Sequence, residues 1–276
     1  MNLKQPVQRS QLRTSLGKIY YISKRYLKWY FNDTHFANEK DNGKLPVIIY
    51  KHQTPLLRKL KNVDMWLQQN KVHNIRLAIK NVNGIVIKPG ETFSYWKLIG
   101  KPTKGKGYVN GMVLSHGTYK VGIGGGLCQL SNLIYWMTLH TPLTVIERHR
   151  HSYDVFPDSN RTQPFGSGAT CFFNYIDLQI RNETTQNYQL HLYLTKDCLV
   201  GEWRSENEPV HSYKIYEKDH FITMSTFGKY VRHNLLHRKV SNNNGEVYKD
   251  EYITENHAIM MYEPLLEQGK GKDDLN

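Results

Sequence analysis

Cys128 follows the run Val121-Gly-Ile-Gly-Gly-Gly-Leu127 and opens a stretch of helix-spaced apolar residues. A thiol in that setting can become a nucleophile. Gly122, Gly124, Gly125 and Gly126 let the backbone take positive φ or pass close to another group. Leu127, Leu130, Ile134 and Met137 then recur at three- and four-residue steps, and Pro142 stops the helix soon after His140. The free N–H groups and positive dipole end of a first helical turn favour a thiolate. Such a position lowers a cysteine pKa from about 8.5 to roughly 3.5–7.5. The plainer reading is a small apolar cysteine packed under a helix. Against it, a purely structural helix start prefers Ser, Thr, Asp or Asn.

A thiol nucleophile needs a base within hydrogen-bond reach and a third group to orient that base. The segment Leu143 to Phe156 carries Glu147-Arg-His-Arg-His-Ser152. On a strand, Val145, Glu147, His149, His151 and Tyr153 share one face. His151 or His149 is then the candidate base. Glu147 or Asp154 is the candidate orienter, with Asp154 on the opposite face of a regular strand. The H-x-H pair with Cys128 would also suit zinc, but no spaced carboxylate or cysteine completes the set, so neither metal nor cofactor is expected. A solvent-facing polar strand edge is the bland alternative. Upstream, Gly100-Lys-Pro-Thr-Lys-Gly-Lys-Gly107 and Tyr108 place Lys101, Lys104 and Lys106 among glycines. That loop can cradle an anion or carboxylate, but it lacks nucleotide-loop spacing.

These groups need elements to hold them. Val72, Ile75, Ile79 and Val82 predict a buried helix over 70–82, ended by Asn83-Gly84. Short strands are expected at 47–50 and 85–87, and Pro89-Gly90 is a turn. A hairpin about His116-Gly117 would deliver the chain into the glycine turn. Strands are read at Cys171–Phe173, Ile176–Ile180 and Tyr188–Leu194. Hairpins fill the rest: 213–216, 220–225, 230–240 and 247–254. The resulting fold class is α+β: a mixed, largely antiparallel sheet with the cysteine-bearing helix packed on it, plus a β-rich C-terminal extension. The expected division is a basic segment 1–45, a domain 46–205, the extension 206–265 and a polar tail 266–276.

The 276 residues include 39% hydrophobic and 12% aromatic positions, which fits a globular chain. No apolar run approaches a transmembrane length. The three cysteines are widely spaced, arguing against a disulfide framework. Net charge is +13, but the basic residues are spread and no nucleic-acid motif accompanies them, so no nucleic-acid partner is expected. The first 32 residues hold seven Lys/Arg and no acid, with aromatics interleaved. That pattern reads as an ordinary packed helix or as a segment for an anionic membrane surface. Lys18, Lys24 and Arg25 interrupt any signal-like apolar core. The expected location is cytoplasmic, with peripheral attachment at the inner membrane face as an option.

Several stretches together resemble the VanW family. They are Pro89-Gly-Glu-Thr-Phe-Ser94, the basic loop ending Gly107-Tyr108, Gly124-Gly-Gly-Leu-Cys-Gln129 with Ser131, Glu147-Arg-His-Arg-His-Ser152, Gly166 with Ala169-Thr170, and the strand ending Arg181-Asn182. They cover about residues 70–185 in the family's order. The resemblance implies a cell-wall-linked protein associated with glycopeptide resistance or wall remodelling. It also implies acyl-transfer chemistry of L,D-transpeptidase type, with Cys128 as the cysteine and His151 as the better-matched histidine. A peptidoglycan peptide or precursor is the expected partner. Gly124, Gly125, Gly126, Gln129, Ser131, Lys104 and Tyr108 are the expected substrate-binding residues. One departure stands out: the family usually has Asp before Ala-Thr, and this chain has Gly168. Loss of that acid leaves open a non-catalytic protein that binds precursors or a resistance-system partner.

Overall fold

The computed structural model describes residues 9–58, 63–156 and 163–264. The tail from 266 and the first eight residues lie outside the described residues. Helix α1 (Gln11–Phe31) is capped by the Ser10 hydroxyl and touches the body through Arg25 and Trp29. Strand β1 (Val47–Pro55) follows, longer than its apolar residues suggest. Helix α2 (Met65–Val82) starts five residues before the predicted point. It ends at Asn83, and Gly84 has φ +80°, the left-handed turn that only glycine takes cheaply. Then come β2 (Val86–Ile87), β3 (Thr92–Ser94) and α3 (Tyr95–Ile99).

The expected hairpin is β4 (Asn110–Ser115) and β5 (Thr118–Ile123), turned by His116 and Gly117, both at positive φ. It delivers the chain to α4 (Cys128–Thr138), with Cys128 as the first helical residue. Leu130, Ile134 and Met137 are fully buried there, so the apolar stripe faces the core as its spacing requires. The remaining strands are β6 (Thr144–Glu147), β7 (Tyr153–Asp154), β8 (Gln179–Arg181), β9 (Tyr188–Leu194), β10 (Cys198–Ser205), β11 (Ser212–Met224), β12 (Tyr230–Ser241) and β13 (Val247–Met260).

The fold is α+β. Antiparallel sheet β1-β10-β9-β2 carries α4 on one face. Trp203 Nε1 of β10 donates to Thr138 Oγ1 at 3.1 Å. A Cβ at Gly201 would lie 2.5 Å from Met137 Cε, so the helix sits close enough to β10 to need a glycine there. A second sheet orders β3-β8-β6. The third, β11-β12-β13, takes β7 alongside in parallel.

Three local expectations are corrected. The alternation over 145–153 is not one strand: pairing stops at Glu147 after an irregularity and resumes only at Tyr153. Cys171–Phe173 forms only an isolated bridge, Phe172 to Ile176, and pairing of the following segment begins at Gln179. The stretches at 213–216 and 220–225 merge into the single strand β11, with one irregularity between Glu217 and Asp219.

Candidate active site

Helix α2 builds the glycine turn. Asn74 is completely buried. Its amide donates to the carbonyls of Val109 (3.1 Å) and Gly125 (3.0 Å), and its oxygen accepts from Val109 N at 3.0 Å. Gly126 has φ +92°, and a Cβ there would fall 2.2 Å from Lys71 Cγ. A Cβ at Gly125 would meet the Gly111 carbonyl carbon at 2.1 Å. Glycine at these positions is a packing requirement, beyond any freedom it gives the turn. Burial, followed by the charge of Arg58, lowers the Lys71 ammonium to about 8, and its Nζ donates to Gln68 Oε1 at 2.8 Å. Beneath the turn the Tyr95 hydroxyl donates to the Leu127 carbonyl at 2.9 Å.

The thiol, the histidines and the helix meet on one irregular segment, Gly168 to Cys171. Ala169 is clamped to α4: its amide donates to Asn132 Oδ1 at 2.8 Å, and its carbonyl accepts from the Ser131 hydroxyl at 2.7 Å. Thr170 faces the histidine segment. Its amide donates to the His149 carbonyl at 2.8 Å, and its Oγ1 lies 2.5 Å from His151 Nδ1 and 2.9 Å from Nε2. Cys171 offers its carbonyl to the Cys128 thiol, with the sulfur 3.7 Å away. Cys128 and His151 therefore contact consecutive residues of the same segment. Among the described residues, no hydrogen bond joins the sulfur to an imidazole.

The charge states differ from the expectation. Cys128 is half-buried, and burial pushes its thiol up, with its backbone hydrogen bonds opposing only in part. The thiol is displaced opposite to the direction expected of a helix start, because burial disfavours the thiolate. Burial, then the neighbouring Arg148 charge, brings His151 down to about 4. At neutral pH the site holds a neutral thiol and a neutral imidazole.

The hydrogen-bond partners of Glu147 are Arg25, His149 and the Asp177 amide. Both guanidinium nitrogens of Arg25 reach the two Glu147 oxygens, one at 2.7 Å. His149 Nε2 lies 3.3 Å from Oε1, and the Asp177 amide donates to the same oxygen at 3.2 Å. Burial works against the Glu147 anion, but hydrogen bonds from His149 and Arg25 and the Arg25 charge hold it at about 2. Asp154 pairs with Arg232 and accepts from the Tyr262 hydroxyl at 2.8 Å. His149 thus turns to Glu147 and His151 to Thr170, so the H-x-H pair does not converge. Among the described residues no three His, Cys, Asp or Glu side chains come together as metal ligands.

Of the other predicted residues, Gln129 is tied to Thr54 Oγ1 (3.0 Å) and the Pro55 carbonyl (2.9 Å). Lys104 and Tyr108 line an open groove of about 540 Å³ with Trp66, Asn70 and Ile123, next to the glycine turn. The residues that the sequence did not single out are Arg25, Asn74, Tyr95, Arg148, Thr170 and Asp177. Arg148 binds the Gly166 and Gly168 carbonyls, Thr254 and Asn256, with its guanidinium over the Tyr135 ring. It holds the 166–168 loop in place from the residue beside Glu147. Only its position inside the Glu-Arg-His-Arg-His run hinted at this.

A thiol-bearing helix behind a glycine turn, braced by a buried asparagine and facing a histidine segment across one shared loop, defines a cysteine-centred α+β domain. Residues 70–204 match the family described as VanW like protein. The chain is 33% identical over 237 residues to the vancomycin B-type resistance protein VanW of Enterococcus faecalis, covering 86% of each protein. It is 30% identical over 118 residues to the uncharacterized protein YoaR of Bacillus subtilis, covering 43% of this chain and 37% of that one. This chain belongs to the VanW family. No solved structure matches it.

Proposed function

We propose that the protein transfers acyl groups at peptide carbonyls of peptidoglycan or its precursors, in a role tied to glycopeptide resistance. The observation that carries the chemistry is the convergence of Cys128 and His151 on Thr170-Cys171. A neutral thiol and a neutral imidazole held on consecutive residues of one segment suit general-base activation, not a preformed ion pair. The sulfur attacks the donor carbonyl carbon while its proton passes to His151. The resulting oxyanion sits by the N–H groups of the glycine turn and helix start. Collapse breaks the C–N bond, the leaving amine takes the proton from His151, and a thioester remains on Cys128. An acceptor amine or water then attacks the thioester, loses its proton to His151, and returns the thiol. In the resting state Thr170 holds the imidazole and Cys171 holds the thiol. A sulfur–imidazole contact, which the described residues do not make, has to form on substrate binding. The link to resistance rests on the name of the Enterococcus faecalis relative.

The test is intact-protein mass spectrometry after incubation with a tetrapeptide-stem muropeptide. A mass gain mapped to Cys128, absent in Cys128→Ala and formed at least 10²-fold more slowly in His151→Gln, is the expected result. A second reading is favoured by two observations: the thiol already hydrogen-bonded to the Cys171 carbonyl, and Gly168 where the family resemblance expects an acid. In that reading the same surface binds a precursor without turnover. No adduct, together with calorimetric muropeptide binding that survives Cys128→Ala, would select it.

A further inference from the structure

We propose that α1 docks this protein on an anionic lipid surface. Among the described residues, most of this helix covers nothing. Its inward side is Ile22, Arg25 and Trp29, fixed by the Arg25–Glu147 pair, by Lys97 Nζ donating to the Trp29 carbonyl at 3.1 Å, and by Tyr21 against Tyr175. The outward side carries Leu12, Leu16, Ile19, Leu27 and Tyr30 at three- and four-residue steps, with Ser23 as its one polar position. Leu12 is 72% exposed, Leu16 58%, Ile19 62% and Leu27 58%. A soluble surface does not leave such a continuous apolar stripe without a use.

Its charge selects the occupant. Arg13, Lys18, Lys24 and Lys28 are exposed on α1, and the helix holds no acidic residue. A second copy of this chain would bring an equally basic helix against the first, and like charges would oppose the contact. A bilayer rich in anionic headgroups takes leucine and isoleucine at the acyl boundary, tyrosine at headgroup depth and lysine at the phosphates. The described residues contain no helix long and apolar enough to cross a membrane, so the geometry is that of a helix lying in the interface. Because Arg25 on the inward side grips Glu147, the docked helix would be joined directly to the segment bearing His149 and His151.

The experiment is co-sedimentation of the full chain with vesicles of phosphatidylcholine alone or with about one-third phosphatidylglycerol, at low and high salt. Each basic residue near an anionic surface raises partitioning roughly fivefold. The expected result is therefore at least tenfold more binding to the anionic vesicles, weakened by salt. The double variant Leu16→Asp/Ile19→Asp should lose that binding by more than tenfold with an unchanged melting temperature, since both side chains are exposed among the described residues. Lys24→Glu/Lys28→Glu should erase the preference for anionic lipid. Equal binding to both vesicles, or no binding, overturns the proposal. So does a dimer seen by light scattering that Leu16→Asp/Ile19→Asp abolishes, which would make the stripe a self-association face. None of these readouts depends on Cys128.

Discussion

Glu147 and Asp177 lie one hydrogen bond apart, the Asp177 amide donating to Glu147 Oε1, yet their carboxyl groups are displaced in opposite directions. Both are buried. Glu147 faces Arg25 and is held at about 2. Asp177 faces only neutral donors: the Ser94 hydroxyl at 2.5 Å, the Trp96 amide at 2.9 Å and the Gln179 amide at 3.1 Å. Desolvation prevails over those donors and raises it to about 6. At Asp177 neutral hydrogen bonds do not offset full burial, to which the Glu147 charge adds, whereas at Glu147 the hydrogen bonds of His149 and Arg25 together with the Arg25 charge do. The same rule explains Cys128. Among the described residues its thiol has a carbonyl for company and no cation, so it stays protonated. Charge in this interior is assigned by arginines, and none is assigned to the thiol.

The largest test of that contrast removes the cation. Arg25→Met strands a buried carboxylate. We expect a loss of about 2 kcal/mol at pH 7, below the range of fully buried pairs because some solvent reaches this one. Glu147→Gln added to that background should recover most of the loss. Urea unfolding of the two variants measures both. If the double variant is no more stable than Arg25→Met alone, the cost comes from lost packing of α1 and the electrostatic account fails.

The next test is the acid limb of stability, where three groups act with different signs. Glu147 is depressed below its ordinary 4.5, so its contribution is full above that pH and is lost as pH falls toward 2. His151 is depressed from 6.5 to about 4, so the folded state loses stability as pH falls through that window. Asp177 is raised from 3.8 to about 6, so the folded state gains stability as pH falls between those values. Between pH 6.5 and 4, His151→Gln should therefore flatten the decline and Asp177→Asn should steepen it, each by on the order of 1 kcal/mol. His140, also lowered to about 4 by burial, contributes equally to both profiles and cancels in the comparison. Parallel profiles for the two variants would show that neither group carries the displacement assigned to it.

What the sequence disclosed followed range. Periodicity identified α4 and its buried stripe, strand β9 with its bounds, and helix α2 with Ile75 and Val82 inward, although Val72 and Ile79 are only half-buried and Lys71, Asn74 and Ala78 share the innermost face. The dipeptide His116-Gly117 identified its turn. All of these are local. The alternation over 145–153 misled because a period of two does not distinguish a paired strand from an extended segment whose alternate residues reach inward. Arg148 and Arg150 do reach inward, to the Gly166, Gly168 and His257 carbonyls, and no ladder forms between Glu147 and Tyr153. The partnership of Arg25 with Glu147 spans 122 residues, and nothing in a basic helix marks which arginine will be buried. The helix-start argument for an acidic Cys128 weighed the dipole and could not weigh desolvation, which only the packed structure supplies.

The thiol offers a direct check on that last point. Half-maximal iodoacetamide alkylation of Cys128 in the folded protein should come at higher pH than in the urea-unfolded chain, because burial raises the folded thiol. A lower folded midpoint would restore the dipole-activated thiolate and contradict the argument from Glu147 and Asp177.

The smallest effect concerns Gly168. A Cβ there would lie 2.7 Å from Asn132 Oδ1, the atom that accepts the Ala169 amide. Gly168→Ala should displace Asn132 and cost about 1 kcal/mol, the worth of that hydrogen bond. Asn132→Ala alone already forfeits the bond, so adding Gly168→Ala to it should cost almost nothing further. This relation makes an informative double variant possible, Asn132→Ala/Gly168→Asp, which supplies an acid without the clash. The Gly168 carbonyl accepts from Arg148 Nε at 2.9 Å, and the Arg148 charge is the second cause of the low His151 value. A carboxylate introduced beside that guanidinium should offset it and move His151 upward from about 4, readable by NMR titration of the imidazole. An unmoved His151 would mean that burial alone sets its charge, and that an acid at 168 cannot convert this histidine into a stronger base.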